Sequence, residues 1–207
     1  MIGFDTGGRS MTGARTRTSL SDAAERDRGL VLYESMDPIE GFSMEYLRGE
    51  IVLRASPNTI HNRIVELVRG ALPHPDLALW TTTAVAITGQ SDRPEPDLAV
   101  TGGEHADDYF TAVPSELVLF ALEVVSTTRP ARRRDYEDKP EIYAQGGIPA
   151  YLLVDPNDGT WRLHTDPRPE KGRYQTLHMG AFGEPVVLPE PLGVTIGTDR
   201  FRTYPAG

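Results

Sequence analysis

Apolar residues run unbroken from Leu117 to Leu122, and Val124 and Val125 extend the run past one interruption, Glu123. Such a run, β-leaning and apolar on both faces, predicts a strand in the middle of a sheet. "PAYLLVDP" predicts a second buried strand. Ile60, Ile64, Leu67, Val68 and Leu72 recur at helical spacing and predict an amphipathic helix packed on that sheet, ended by Pro73 and Pro75. Residues 41–57 read as a hairpin turning at Arg48-Gly49. Residues 77–88 are β-branched and predict an extended segment. The turn-forming "SDRPEPD" then delivers a short strand, "LAVT".

Further elements follow from local signals. Residues 21–36 begin with a Ser and early acids, as a helix start does. "YEDKPEIYAQGG" predicts a helix stopping at Gly146-Gly147. "TWRLHT", "GRYQTLHM" and "EPVVLPE" predict a β-meander, with turns at Asn157-Asp158-Gly159 and Lys171-Gly172. A last short helix is placed at about 198–203. The sum is a mixed α/β (α+β) protein: one apolar sheet flanked by helices, with a C-terminal β-meander.

The 207 residues suffice for one core, so a single domain over residues 21–207 is expected. Residues 1–20, rich in Gly, Thr, Ser and Arg, have little to bury and are expected to be a disordered tail. A start site upstream of the true one, with Met11 as the candidate, accounts for them equally well. No segment has the roughly 18 apolar residues of a membrane span, and the N-terminus lacks the apolar stretch of a signal peptide. The absence of cysteine excludes thiol chemistry and cysteine-bearing zinc sites and fits a reducing cytoplasm. The net charge of −9 counts against a general nucleic-acid coat but leaves room for a local basic patch.

No Gly-rich phosphate loop and no Gly-x-Ser-x-Gly elbow are present, and the histidines lack metal-type spacing. What remains is acidic. A buried, unpaired carboxylate is costly, and Glu123 sits in an apolar strand while Asp97 opens another. A hard divalent cation can hold two such groups together, with Lys139 nearby to orient water or stabilise a phosphate. Structural readings stand beside these: Asp97 as a strand-end cap, Glu123 paired with an arginine, Lys139 solvated, and Arg129 to Arg134 as a solvated loop.

Taken together, "PEPDLAV", "LEVVS" and "RRRDYEDKPEIYAQGGIPAYLLVDP" resemble the Uma-two family of restriction endonucleases, a branch of the PD-(D/E)XK nuclease superfamily. "MEYLRGEIV" and "ASPNTIHNRI" match its upstream hairpin and helix, and the likeness covers roughly residues 30–204. The resemblance implies a restriction-endonuclease-like core. It implies Mg²⁺, with Mn²⁺ as substitute, held by Asp97, Glu123 and the backbone carbonyl of Val124. The superfamily's lysine usually lies two residues after the Glu; Val125 stands there, and the family moves the lysine to Lys139. Glu45 and His61 fall on recurrent family positions. Arg132, Arg133 and Arg134 would meet the nucleic-acid backbone, with DNA the expected partner, and by analogy with such nucleases a homodimer is expected. Tyr143, one helical turn from Lys139, would support it. Because Pro140 fits only a first helical turn, Lys139 is expected at a helix N-terminus, where the dipole favours a bound phosphate. The competing reading is a catalytically silent nuclease-fold protein that binds nucleic acid or protein.

Overall fold

The structure is a computed structural model that describes residues 28–73 and 75–205. The expected N-terminal tail and Met11 lie outside the described residues. A helix, α1, occupies 28–35; the start expected near residue 21 also lies outside. The hairpin is β1 (Phe42–Leu47) and β2 (Glu50–Ala55), paired antiparallel so that Glu45 faces Val52 and Ser43 faces Arg54. Its turn is tight, with positive φ at both Arg48 and Gly49. The Arg48 amide is fixed there by donating to Asp92 Oδ1 at 2.6 Å.

The helix α2 (Thr59–Arg69) is capped by Asn58, whose side chain accepts from the amides of Ile60 and His61. The extended segment expected over 77–88 is two strands, β3 (Leu77–Trp80) and β4 (Ala84–Ala86), in different sheets. Thr82, at φ 54°, breaks them apart. Next come β5 (Leu98–Gly102) and β6 (Ala112–Pro114), the latter parallel to β4. The apolar strand β7 (Val118–Val124) and β8 (Ala150–Asp155) lie parallel at the centre of the main sheet. Then β9 (Thr160–Arg168) and β10 (Arg173–Ala181) form the meander. The main sheet runs β10-β9-β8-β7-β5-β3.

Two parts of the C-terminal expectation are corrected. "EPVVLPE" does not extend the meander: Val186 and Val187, β11, pair with Thr195 and Ile196, β12, in a separate ribbon. Residues 198–203 form a turn and extended chain, not a helix. Phe201 is buried in the core and Tyr204 donates its hydroxyl to the Val125 carbonyl, so this segment is held by packing rather than by its own winding.

The connection from β7 to β8 is helical from Arg129 onward, not a basic loop followed by a helix. It comprises α3 (Arg129–Arg133), one π turn (Arg134–Asp138) and α4 (Lys139–Gln145). Pro140 explains the π turn. Lacking an N–H, it cannot make the usual bond to the carbonyl four residues back, and the chain widens so that the Lys139 amide reaches Arg134 O, five residues back. Lys139 therefore does not stand at a free helix N-terminus.

Side chains alternate along β7. Phe120, Leu122 and Val124 pack with Ile64, Val68 and Val154 on the α2 face. Ala121 and Val125 pack with Ile142, Tyr143 and Tyr151 on the α4 face. Period two places Glu123 on the α4 face. Among the described residues, no helix is long and apolar enough to cross a membrane. The architecture is the mixed sheet with flanking helices that the sequence predicts.

Candidate active site

The pairing of β5 with β7 sets Leu98 opposite Leu122 and Ala99 opposite Ala121. One step beyond the paired residues, Asp97 stands opposite Glu123; the Glu123 side chain meets Lys139 and Tyr143 of α4, whereas Asp97 reaches Arg54 and, from α2, His61. The Val124 amide donates to Asp97 Oδ2 at 2.7 Å and ties the two strand ends together. Glu45 enters from β1, and from the same hairpin face comes Arg54. The π turn and α4 supply Asp135, Lys139 and Tyr143. His61 enters from α2.

Lys139 is 1% exposed and sits among carboxylates: Glu123 Oε1 at 2.5 Å, Glu45 Oε1 at 2.9 Å and Asp135 Oδ1 at 3.7 Å. Tyr143 donates its hydroxyl to the same Glu123 oxygen at 2.8 Å. The Arg54 guanidinium spans the remaining gap. Its Nη2 donates to Asp97 Oδ1 at 3.2 Å and its Nη1 to the Glu95 carbonyl at 3.0 Å. Nη1 also lies 3.5 Å from both Glu45 Oε1 and Glu123 Oε2. On the other side of Asp97, His61 Nε2 stands 3.0 Å from Oδ2. Three buried polar atoms of this cluster have no hydrogen-bond partner: Glu45 Oε2, Glu123 Oε2 and His61 Nδ1.

The electrostatics divide the acids. Burial would raise Asp97, but Arg54 and then His61 hold it well below the usual carboxylate range. Burial likewise opposes ionisation of Glu45, and Lys139 and Arg54 overcome it, so Glu45 is lowered. Glu123 goes the other way: burial pushes it up to about 8 despite Lys139 and Arg54, with the neighbouring Asp97 and Glu45 adding to the rise. Burial also lifts Asp135 to about 6. For Lys139, burial and Arg54 would lower the pKa, yet Glu123, Glu45 and Asp135 outweigh them and raise it. The ammonium is thus kept charged.

The sequence-predicted residues Glu45, His61, Asp97, Glu123 and Lys139 converge here, and Tyr143 joins them. Val124 takes part through its amide. The arginines are dispersed. Arg132 donates to Asp155 at 3.0 Å and Asp158 at 2.7 Å, and none of its ion-pair partners belongs to the cluster. Arg133 is exposed and pairs with Glu137 one turn on. Arg134 is half-buried and has no ion-pair partner among the described residues. Two members escaped the sequence reading as site residues. Asp135 was visible as the acid four residues before Lys139. Arg54 was visible through the hairpin register, which puts it on the face of Glu45.

The sheet, its flanking helices and the enclosed acid–lysine cluster define a protein of the nuclease-fold type. The Uma2 family, described as "Putative restriction endonuclease", matches residues 32–199, and the chain belongs to it. A solved structure described as a "putative nuclease belonging to DUF820" from Anabaena variabilis ATCC 29413 is similar at a TM-score of 0.58 and 14% identity. The match covers 77% of this chain and 88% of that one, and at this identity the likeness is one of fold. No curated protein matches the chain.

Proposed function

We propose that the protein is a divalent-cation-dependent endonuclease that hydrolyses phosphodiester bonds in DNA, using Mg²⁺, with Mn²⁺ as substitute. Family membership supports a nuclease of the restriction-endonuclease type. The observation that carries the finer reading is the facing pair Asp97 and Glu123 at the end of the β5–β7 ladder.

The donor chemistry fits a hard cation. Glu45, Asp97, Glu123 and Asp135, four carboxylates, surround two permanent cations, Arg54 and Lys139. Burying that excess of negative charge is unfavourable unless protons or a divalent ion offset it. The orphaned atoms include carboxylate oxygens, the ligand type Mg²⁺ prefers. Among the described residues no three His, Asp or Glu side chains form a ready-made metal cage; Arg54 lies within 3.5 Å of Glu45, Asp97 and Glu123.

Asp97 and Glu123, with the Val124 carbonyl, would hold the ion. When bound, it would activate a water and neutralise charge developing on the phosphate. The Val124 amide and His61 fix the rotation of Asp97. Lys139 and Tyr143 fix Glu123. With Glu123 drawn to the ion, Lys139 would be left to orient water or to meet the phosphate.

The enclosure of the same residues favours a second reading: the Glu45, Glu123 and Lys139 side chains are at most 1% exposed. A protein so sealed would bind nucleic acid or a protein without cutting. The test is cleavage of single- and double-stranded DNA and RNA with Mg²⁺ or Mn²⁺, beside Asp97→Ala and Glu123→Ala. Metal-dependent cleavage lost in both variants supports the first reading. No cleavage by the parent on any substrate, or cleavage that survives Asp97→Ala, overturns it.

A further inference from the structure

We propose that Arg54 is the resident counter-ion of this site: it stands where a divalent cation would join Asp97 to Glu123, and it sets how tightly such a cation is held. The inference rests on the metal-dependent reading above.

Arg54 reaches Asp97, Glu123 and Glu45 at once, at 3.2, 3.5 and 3.5 Å. Among the described residues no other side chain joins the two facing acids. Its hold on them is uneven, however. Asp97 receives a hydrogen bond, whereas the contacts to Glu45 and Glu123 are at the outer limit and form none. Glu45 Oε2 and Glu123 Oε2 are left without a donor in a buried setting. A guanidinium therefore supplies charge here without completing the coordination. A hard divalent cation, which prefers carboxylate oxygens, would satisfy oxygens that Arg54 leaves unmet.

The two cations of the cluster also differ in freedom. Lys139 is 1% exposed and is gripped by Glu45 and Glu123 at 2.9 Å or less. The Arg54 side chain is 18% exposed, so it has a way out to solvent. It is also carried by β2, which belongs to the separate two-stranded hairpin and not to the main sheet that carries Asp97 and Glu123. Withdrawal of Arg54 leaves the frame of both acids in place.

An arginine that only stabilises the fold would change stability when replaced, but not affinity for a cation. The experiment is calorimetric titration of Mn²⁺ into the full-length parent, Arg54→Gln, Arg54→Lys and Asp97→Asn, with circular dichroism to establish folding. Arg54→Gln should bind Mn²⁺ at least about 5-fold tighter than the parent, the lower end of typical coupling free energies. Arg54→Lys, which restores the charge, should return towards parent affinity, and Asp97→Asn should lose binding. Equal or weaker binding by a folded Arg54→Gln overturns the proposal while leaving the metal site standing. Absence of Asp97-dependent binding in parent and Arg54→Gln alike overturns this proposal together with the metal-dependent reading. Should Arg54→Gln be unfolded without metal, Mn²⁺ is titrated into it during refolding: recovery of the native spectrum supports the counter-ion role, and no recovery overturns it.

Discussion

Lys139 Nζ lies 2.5 Å from Glu123 Oε1, in a pocket where neither side chain is more than 1% exposed. The pair links α4 to the central strand, and Tyr143 braces it from the next helical turn. Its energetics follow from burial. A buried carboxyl–ammonium pair gains little by pairing, but a buried ammonium or carboxyl left without its partner is expensive.

Replacing the lysine should therefore be far more damaging than its place on a polar-looking helix suggests. Lys139→Met is expected to cost about 3–5 kcal/mol, because Glu45 and Glu123 lose their shared donor. Tyr143→Phe, which removes only a hydroxyl, should cost about 1–3 kcal/mol, because it takes one donor from a buried Glu123 oxygen. Urea unfolding of both variants checks the order. A Lys139→Met protein as stable as the parent would mean that Glu123 is not held as described.

A second expectation concerns acid. Burial, and then Arg162, push His164 from 6.5 down to about 4 in the fold. The ring stacks on Tyr151 and lies tilted beside Tyr174, neither of which titrates in this range. Between pH 6.5 and 4 the unfolded chain binds the proton and the folded chain refuses it, so this contribution to stability is lost as pH falls through that window. His164→Phe should flatten the dependence of the urea midpoint on pH there. Glu123 and Asp135, raised to about 8 and about 6, act with the opposite sign. The difference between parent and variant profiles separates the histidine from them.

The basic segment divides into two behaviours. Arg132 is committed to Asp155, which is 1% exposed, and to Asp158. Arg132→Ala should lower stability by on the order of 1–2 kcal/mol, since Tyr136 and Asn157 still serve Asp155. Arg134 has no such commitment. If the DNA reading holds, Arg134→Ala should weaken DNA binding across sequences and reduce the slope of log affinity against log salt by about 1. Binding titrations at several salt concentrations measure this, and an unchanged slope would remove Arg134 from the interface.

Much of the fold was legible because periodicity is a local record of burial. The apolar run around Phe120 marked a central strand, and the spacing of Ile60, Ile64 and Val68 marked the helix that covers one face. The site was legible where a motif stood in a strand or beside one: Glu123 interrupts an apolar run, and Asp97 opens an apolar strand after a turn. Asp135 escaped although it stands only four residues before Lys139; the rest of what escaped turned on backbone geometry and strand partners. Arg54 looked like one polar residue of an alternating strand, and only the partnership of β2 with Glu45 on β1 makes it a member of the cluster. The split of residues 77–88 between two sheets turns on one residue, Thr82, whose backbone conformation no propensity signals. Val186 and Val187 carried the right residues for a strand, but pattern does not name the partner.

The π turn at Arg134–Asp138 also makes the length of this stretch part of the chemistry. Each helical residue turns the chain by about 100°. Removing a single residue from the stretch would leave a serviceable helix behind it, yet would swing Lys139 away from Glu123. Homologues should accordingly accept changes of identity at exposed positions here far more readily than changes in spacing.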